Sequence, residues 1–442
     1  MSDKFIKKIV TRVKKISNAI DIYTKVGKIP AMPSRAFVNL ADYLFLTGCV
    51  EQSEELLNNA INFASSSPDA YMNLGFLKQT QGDFQKAVEY YKKALKKDKK
   101  NAKALCMWGN CLYHQNNYDD AIKKYEKAIE INEKFGEGYL CWGIVLLKKK
   151  DYKEAREKFK FATKYSPQDA RGLYMQATVE IELGLYDDAL EKLQFIVSAT
   201  EYNFNAYHNI AYIYFKKKEY DKTIMYAEIA LKITQFKLET YLLLGDTYVI
   251  LGKYKEAFNI YEIAEKQNLK SMFLYLSWGI AYQNKNKYDK ALELFKKGIE
   301  IDCGKANDEL YARMARCYFE LGNIDEAKIN SSKAVEISAN NAMANEIIAD
   351  ILIHEHNYAE AINKLEICLK SSEYKQIAFR KIAECYALSD DYIQSNKYYQ
   401  KAIEYNREDK FLLLAYIESL YKQGNYQDAL KKIITLEKLS ND

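Results

Sequence analysis

Four histidines and eight cysteines are the residues of this 442-residue chain best suited to metal or thiol chemistry. His354-Glu355-His356 places two imidazoles at i and i+2, which a helix points in different directions, a poor arrangement for one metal ion. Cys106, Cys141 and His114 form the other grouping that neighbouring segments could gather, but no C-x-x-C pair supports it. The plainer reading of the cysteines is reduced, buried thiols. No glycine-rich phosphate loop, serine-nucleophile motif or paired-carboxylate arrangement stands out. The residue types therefore predict no catalytic residue, no metal ligand and no cofactor.

The remaining chemistry is charge. Residues 1–30 hold eight basic side chains against Asp3 and Asp21, a local +6, whereas the rest of the chain holds 57 basic and 58 acidic ones. Lys4, Lys7, Lys8, Arg12, Lys14 and Lys15 alternate with Phe5, Ile6, Ile9, Val10, Val13, Ile16 and Ile20 at helical spacing. An amphipathic helix over residues 3–26 has three uses: a cap on the first structural unit, an interfacial helix on an anionic membrane surface, or a partner-binding helix. Gly27 to Pro33, with Pro30 and Pro33, reads as a linker. A second cluster (Lys92, Lys93, Lys96, Lys97, Lys99 and Lys100) lacks the interleaved aromatics of a nucleic-acid surface and reads as a solvated helix end. No nucleic-acid partner is predicted. No apolar run reaches membrane-span length and no cleavable signal opens the chain, so the cytoplasm is the default compartment.

The elements that would position these side chains are legible in the stretch 101–131. Leu105, Trp108, Gly109 and Leu112 share one helical face; Tyr118, Ala121, Ile122, Tyr125, Ala128 and Ile129 share another. His114 to Asn117 interrupts the pattern, and Asn accepts the left-handed backbone of a tight turn. This helical hairpin recurs every 34 residues. Its first small position runs Ala41, Gly75, Gly109, Gly143, Ala177, Ala211, Gly245, Gly279, Ala315, Ala349, Ala383 and then Ile417. Twelve residues after each comes Ser, Ala or Thr, from Ser53 to Ala429. Between the two series Gly48, Gly82, Gly184, Gly252, Gly322 and Gly424, with Asn116 and Asn286, mark the turn. Two extra residues enter near Cys303–Asn307. In the final helix, Leu430, Ile433, Ile434, Leu436 and Leu439 either pack on the preceding helix or leave an edge for self-association or a partner. Simple packing is the expectation.

The period, with Trp108-Gly109, Trp142-Gly143, Leu244-Gly245, Trp278-Gly279, the pairs Ala87/Tyr91, Ala155/Phe159 and Ala291/Phe295, and Pro167, resembles the tetratricopeptide repeat (TPR). The resemblance covers residues 34 to 439. It implies an all-α fold, a right-handed α–α superhelix of about twelve hairpins over 34–442, preceded by the amphipathic helix and linker of 1–33. It also implies that the fifth, sixth, ninth, twelfth and thirteenth positions of each repeat line a concave groove. Read along the array, the groove's middle is apolar and soft: Cys106, Met107, Leu140, Cys141, Tyr174, Met175, His208, Asn209, Tyr212, Leu242, Leu243 and Leu276. Farther on, Arg313, Arg316, Glu346, Asp350, Arg380, Lys381 and Glu384 make it charged. An uncharged inner strip fits an amphipathic helix or extended apolar peptide, unless the array buries the strip against itself. The clamp by which some TPR domains grip acidic chaperone tails is not matched: Asn110 fits one position, but Cys106 and Cys141 stand where Lys and Asn are needed.

The expected function is a non-enzymatic protein-interaction scaffold or adaptor that takes a peptide or helix of a partner in its groove. The alternative is a peripheral membrane-associated assembly factor anchored by residues 1–30. Neither the partner's identity nor the oligomeric state follows from the sequence.

Overall fold

The computed structural model describes residues 34–46, 48–63, 68–200, 203–301 and 307–441. The basic leader of residues 1–33 and most of the two-residue insertion lie outside this set. Among the described residues every regular element is an α-helix. The first hairpins are α1 (Ser34–Leu46) with α2 (Val50–Phe63), α3 (Pro68–Thr80) with α4 (Phe84–Lys97), and α5 (Ala102–His114) with α6 (Tyr118–Ile131). Next come α7 (Gly136–Lys148) with α8 (Tyr152–Tyr165), α9 (Ala170–Glu182) with α10 (Tyr186–Ala199), and α11 (Phe204–Lys216) with α12 (Tyr220–Ile233). They are followed by α13 (Leu238–Ile250) with α14 (Tyr254–Lys266), α15 (Met272–Gln283) with α16 (Tyr288–Ile301), and α17 (Asp308–Glu320) with α18 (Ile324–Ile337). The last are α19 (Ala342–His354) with α20 (Tyr358–Cys368), α21 (Lys375–Leu388) with α22 (Tyr392–Tyr405), and α23 (Lys410–Lys422) with α24 (Tyr426–Asn441). The chain divides into two compact units, Met1–Ile213 and Tyr214–Asp442, with the boundary inside α11.

Each hairpin closes where the sequence places its turn. A residue with positive φ stands at every one of these turns, from Gly48 (82°) through Asn116 (60°) and Asn286 (56°) to Gly424 (82°). Lys150, Lys218, His356 and Asp390 hold the same conformation at φ 60° to 63° without glycine or asparagine. Backbone bonds fix the geometry: Asn117 N–H donates to Leu112 at 2.9 Å, and Asp151 N–H donates to Leu146 at 2.9 Å. A turn so fully hydrogen-bonded tolerates an L-residue there at a cost of roughly 1–2 kcal/mol.

Within the hairpin, a missing side chain on the first helix makes room for a ring on the second. Gly75, Gly109, Gly143, Gly245 and Gly279 face Tyr91, Tyr125, Phe159, Tyr261 and Phe295; a Cβ on any of them would meet the ring's Cε1 at 2.3 to 2.5 Å. These five rings are essentially without solvent exposure. Where the small residue is alanine, the residue sixteen positions on shrinks to Leu57, Leu193, Ala227, Ser331 or Leu365; only Ala383 keeps a ring, Tyr399.

Stacking follows from the same face. In each unit the second helix of a hairpin packs on the first helix of the next, and successive first helices also touch, as α1 with α3, α5 with α7 and α17 with α19. No contact of comparable extent joins successive second helices among the described residues. The first helices therefore lie on the tighter, inner side of each stack. Some inter-hairpin contacts are ionic. Glu180, with no solvent exposure, takes Arg156 at 2.9 Å, Lys192 at 3.0 Å and the Gln176 amide at 3.0 Å. The final helix departs from the expectation of simple packing: Ala429 is buried against the Tyr399–Tyr416 cluster, but Leu430, Ile433 and Ile434 stay exposed. Among the described residues, that helix packs on the preceding one, α23.

The ring-for-glycine exchange gives a prediction with an unusual sign. Gly109→Ala gains roughly 1 kcal/mol of helix propensity, yet overpacking against Tyr125 costs about 1–3 kcal/mol, so the urea midpoint falls. In a Tyr125→Leu background, which copies Ala177 and Leu193, the same substitution leaves the midpoint unchanged or raises it.

Candidate functional site

The inner wall of the first unit is built by α1, α3, α5, α7 and α9, and three cavities open along it. The first, about 470 Å³, is lined by Phe45, Leu46, Leu57, Met72, Phe76, Leu77 and Met107, with Asp42, Ser53, Asp69, Asn73, Asn101 and Lys103 among them. Phe45 and Phe76 meet edge to face at 5.6 Å. Asn73 donates to Asp42. Burial raises the Asp42 carboxyl above its ordinary range, Lys103 opposes this, and the charge of Asp69 adds to it. A second cavity, about 220 Å³, has Tyr113, Cys141 and Ile144 beside Gln79, Asn110, His114, Tyr125, Glu137 and Arg171. The third, about 190 Å³, is lined by Ala170, Arg171, Tyr174, Met175, Asn203 and Asn205.

Several of these polar groups are already engaged. Tyr125 OH donates to Asn110 Oδ1 at 2.8 Å, so the one asparagine that matched a chaperone-tail clamp is spent on a buried ring. The Arg171 guanidinium forks onto Asp169 at 2.9 and 2.7 Å and holds that carboxyl below the usual range. His114 stacks on Phe84 at 5.1 Å. What remains for a ligand is apolar surface with a thin polar rim, suited to side-chain burial.

The predicted groove residues divide into three sets. Met107, Cys141, Tyr174 and Met175 line the cavities. Asn209 donates to Tyr174 OH at 3.2 Å, His208 stacks on Phe204 at 6.0 Å, and Tyr212 is half-buried close by in sequence. Leu242 and Leu276, in the second unit, pack half-buried against the clusters around Tyr261 and Phe295. Cys106, Leu140 and Leu243 must be taken off the wall: they are buried within the stack. The Cys106 thiol is pushed well above the ordinary range, first by its hydrogen bond with Cys141 and then by burial. Lys4, Lys7, Lys8, Arg12, Lys14 and Lys15 fall outside the described residues.

The residues lining the first cavity, Met107 apart, are not among the predicted groove residues. Their signal was present: Phe45 and Leu46 at the twelfth and thirteenth positions, Met72 at the fifth and Phe76 at the ninth. Nor did the histidine pair form a unit. His356 is a left-handed turn residue whose Nδ1 lies 2.9 Å from Tyr358 OH, while His354 sits by Phe319. In the lysine cluster, Lys92 and Lys93 lie over the rings of Trp108 and Tyr90, and Lys96 and Lys97 end α4. No described helix is long and apolar enough to cross a membrane.

The inner wall of the second unit is organised differently. Arg316 pairs with Glu346 and, at 3.5 Å, with Asp350; Lys381 pairs with both carboxylates. All four side chains are largely buried. Burial pushes the Lys381 ammonium down, and Asp350 pulls it back up. Removing one member of such a set strands the others, at a cost of about 3–5 kcal/mol. The charged stretch of sequence is thus satisfied within the stack. Beyond it a cavity of about 320 Å³ lies between Glu384, Tyr392, Tyr399, Glu418 and Lys422.

Asp246 gives this wall a titratable group. Tyr261 OH donates to it at 2.6 Å, and burial raises its carboxyl above the ordinary value of 3.8 despite hydrogen bonds from Tyr261 and Ser277. Between 3.8 and the raised value the folded chain holds a proton that the unfolded chain releases, so stability falls as pH rises through that window. Asp246→Asn copies the Asn110–Tyr125 pair. Its melting temperature is expected to exceed that of the natural chain at neutral pH, the difference closing below pH 3.8.

Comparison with known proteins agrees with this architecture. Family models described as tetratricopeptide repeat match residues 72–134 and 142–206, 33–100, 284–329, and 204–236 and 238–267. No curated protein matches the chain. Among solved structures, PilF of Pseudomonas aeruginosa is 22% identical, covering 47% of this chain and 95% of its own, with a TM-score of 0.43. Cut9 with Hcn1, an APC/C hetero-tetramer, is 11% identical over 93% of this chain and 94% of its own, TM-score 0.48. Yeast Tom70 is 16% identical over 90% and 98%, TM-score 0.45. Likenesses this loose carry no function across. The repeat models together match well over half of the residues, in register with the helical hairpins, and the chain belongs to the tetratricopeptide repeat family.

Proposed function

We propose that the protein is a non-enzymatic interaction scaffold whose first unit takes an amphipathic helix or extended peptide of a partner protein along the inner wall. The observation that carries this reading is the row of three cavities between α1 and α11, floored by Phe76, Met107, Tyr113, Ile144, Tyr174 and Met175. Apolar side chains spaced one or two helical turns apart fill such a row, and the polar rim satisfies the peptide backbone. Methionine and cysteine at the contact tolerate more than one ligand shape. The second unit contrasts with it, because Arg316, Glu346, Asp350 and Lys381 satisfy each other and offer a ligand little.

Selection of a random peptide display library on the full-length protein tests this. Enriched peptides are expected to carry apolar or aromatic anchors at helical or alternating spacing. Ile144→Glu and Tyr174→Ala, each at a half-buried position, should weaken their binding by tenfold or more, about 1.4 kcal/mol, with helical content unchanged. Peptides whose binding ignores both substitutions would refute the reading.

A further inference from the structure

The cavity nearest the start of the stack differs from the other two in size, in lining and in what the chain itself places beside it. It is the largest of the three, about 470 Å³, and its apolar lip is unusually open: Leu46 is 82% exposed and Phe76 41%. Two carboxylates, Asp42 and Asp69, stand at its rim against one cation, Lys103. The basic leader joins the stack at Ser34, the first residue of α1, and α1 supplies Asp42, Phe45 and Leu46 to the cavity.

We propose that the leader segment of this same chain occupies that cavity, with Val13, Ile16 and Ile20 entering it and Arg12 facing Asp42 and Asp69. Reach permits it. Cavity residues lie eight to twelve positions along α1 from Ser34, roughly 12–18 Å at 1.5 Å per residue. The seven-residue linker, 27–33, spans up to about 24 Å when extended, so the leader can fold back over α1. Side chains at 13, 16 and 20 share one face at helical spacing; Arg12 borders it, and Lys14 and Lys15 lie on the opposite side. Charge favours the match, since the leader carries +6 while the rest of the chain is close to neutral. The Asp42 carboxyl, raised by burial and by Asp69, gains from an arriving cation. Tethering raises the leader's local concentration into the millimolar range, so a weak fit in trans becomes substantial occupancy in cis. A partner reaching the first cavity must displace the leader, which makes the segment a built-in competitor for one end of the wall. This inference shares the inner wall with the function proposed above but not its middle and third cavities.

Site-specific photo-crosslinking in the full-length chain decides it. With benzoylphenylalanine in place of Ile16, irradiation is expected to give crosslinks within one molecule to Leu46, Met72 or Phe76. Leu46→Glu and Phe76→Glu, both at exposed positions, should each abolish them while circular dichroism stays unchanged. The same probe at Lys14 should give few or none. Mixing isotope-labelled and unlabelled chains tests the source: mixed-chain crosslinks would overturn docking in cis in favour of a second copy. Phosphatidylserine-containing vesicles provide the other arm. Crosslinks to lipid with none to the cavity would overturn the proposal in favour of a membrane surface, and so would the absence of any protein crosslink. Peptide capture that depends on Ile144 and Tyr174 survives all these failures, so the two readings fall separately.

Discussion

The stack depends on how closely two antiparallel helices approach, and a single steric exchange sets that distance. Where the first helix presents a bare Cα, the second fills the gap with a ring, and the ring is sealed from water. Large rings bring large apolar area into the hairpin, which helps to hold a structure whose units contact only their neighbours. The buried rings also carry polar tips. Tyr91, Tyr125 and Tyr261 each donate to a residue of their hairpin's first helix, namely Gln79, Asn110 and Asp246. Core packing and inner-wall chemistry are therefore linked: the same rings that set helix spacing consume polar groups facing the wall and leave it more apolar.

Two inner walls made from one repeat illustrate how little the fold dictates about binding. In the first unit the wall positions hold Met72, Phe76, Ile144 and Tyr174, which leave cavities because no neighbour fills them. In the second, Arg316, Glu346, Asp350 and Lys381 come from three successive hairpins and knit them together. Ion pairs of this kind add little net stability over apolar packing but penalise misregistered stacking strongly. Ala383 with Tyr399 is an instructive exception. The extra methyl accompanies a ring that lies 5.9 Å from Tyr416 and borders the cavity with Glu384 and Glu418.

Much of this architecture was legible in the sequence because tight approach leaves no choice of residue. Small positions twelve apart and turn glycines at a fixed period place the hairpins to within a residue or two. The turns at Lys150, Lys218, His356 and Asp390 were not signalled, since surrounding hydrogen bonds and not residue type impose their backbone. Burial on the wall was harder to read. Leu140, Cys106 and Leu243 share the helical face of true wall residues, and only neighbouring side chains decide that they turn inward. The reciprocal charges at 316, 346, 350 and 381 looked like an exposed charged groove because pairing across hairpins is a property of the stack, not of any one repeat. Exposure of Leu430, Ile433 and Ile434 likewise depends on which face of α24 finds a neighbour.

Hydroxyl-radical footprinting of the full-length protein, with and without a saturating selected peptide, tests the central claim of an open, ligand-taking wall most directly. Without peptide, Tyr113, Tyr174 and Met175 should oxidise readily while Tyr125, Phe159 and Phe295 stay protected; with peptide, the first set alone should become protected. Equal protection of both sets before peptide is added, or protection confined to residues of the second unit afterwards, would contradict it.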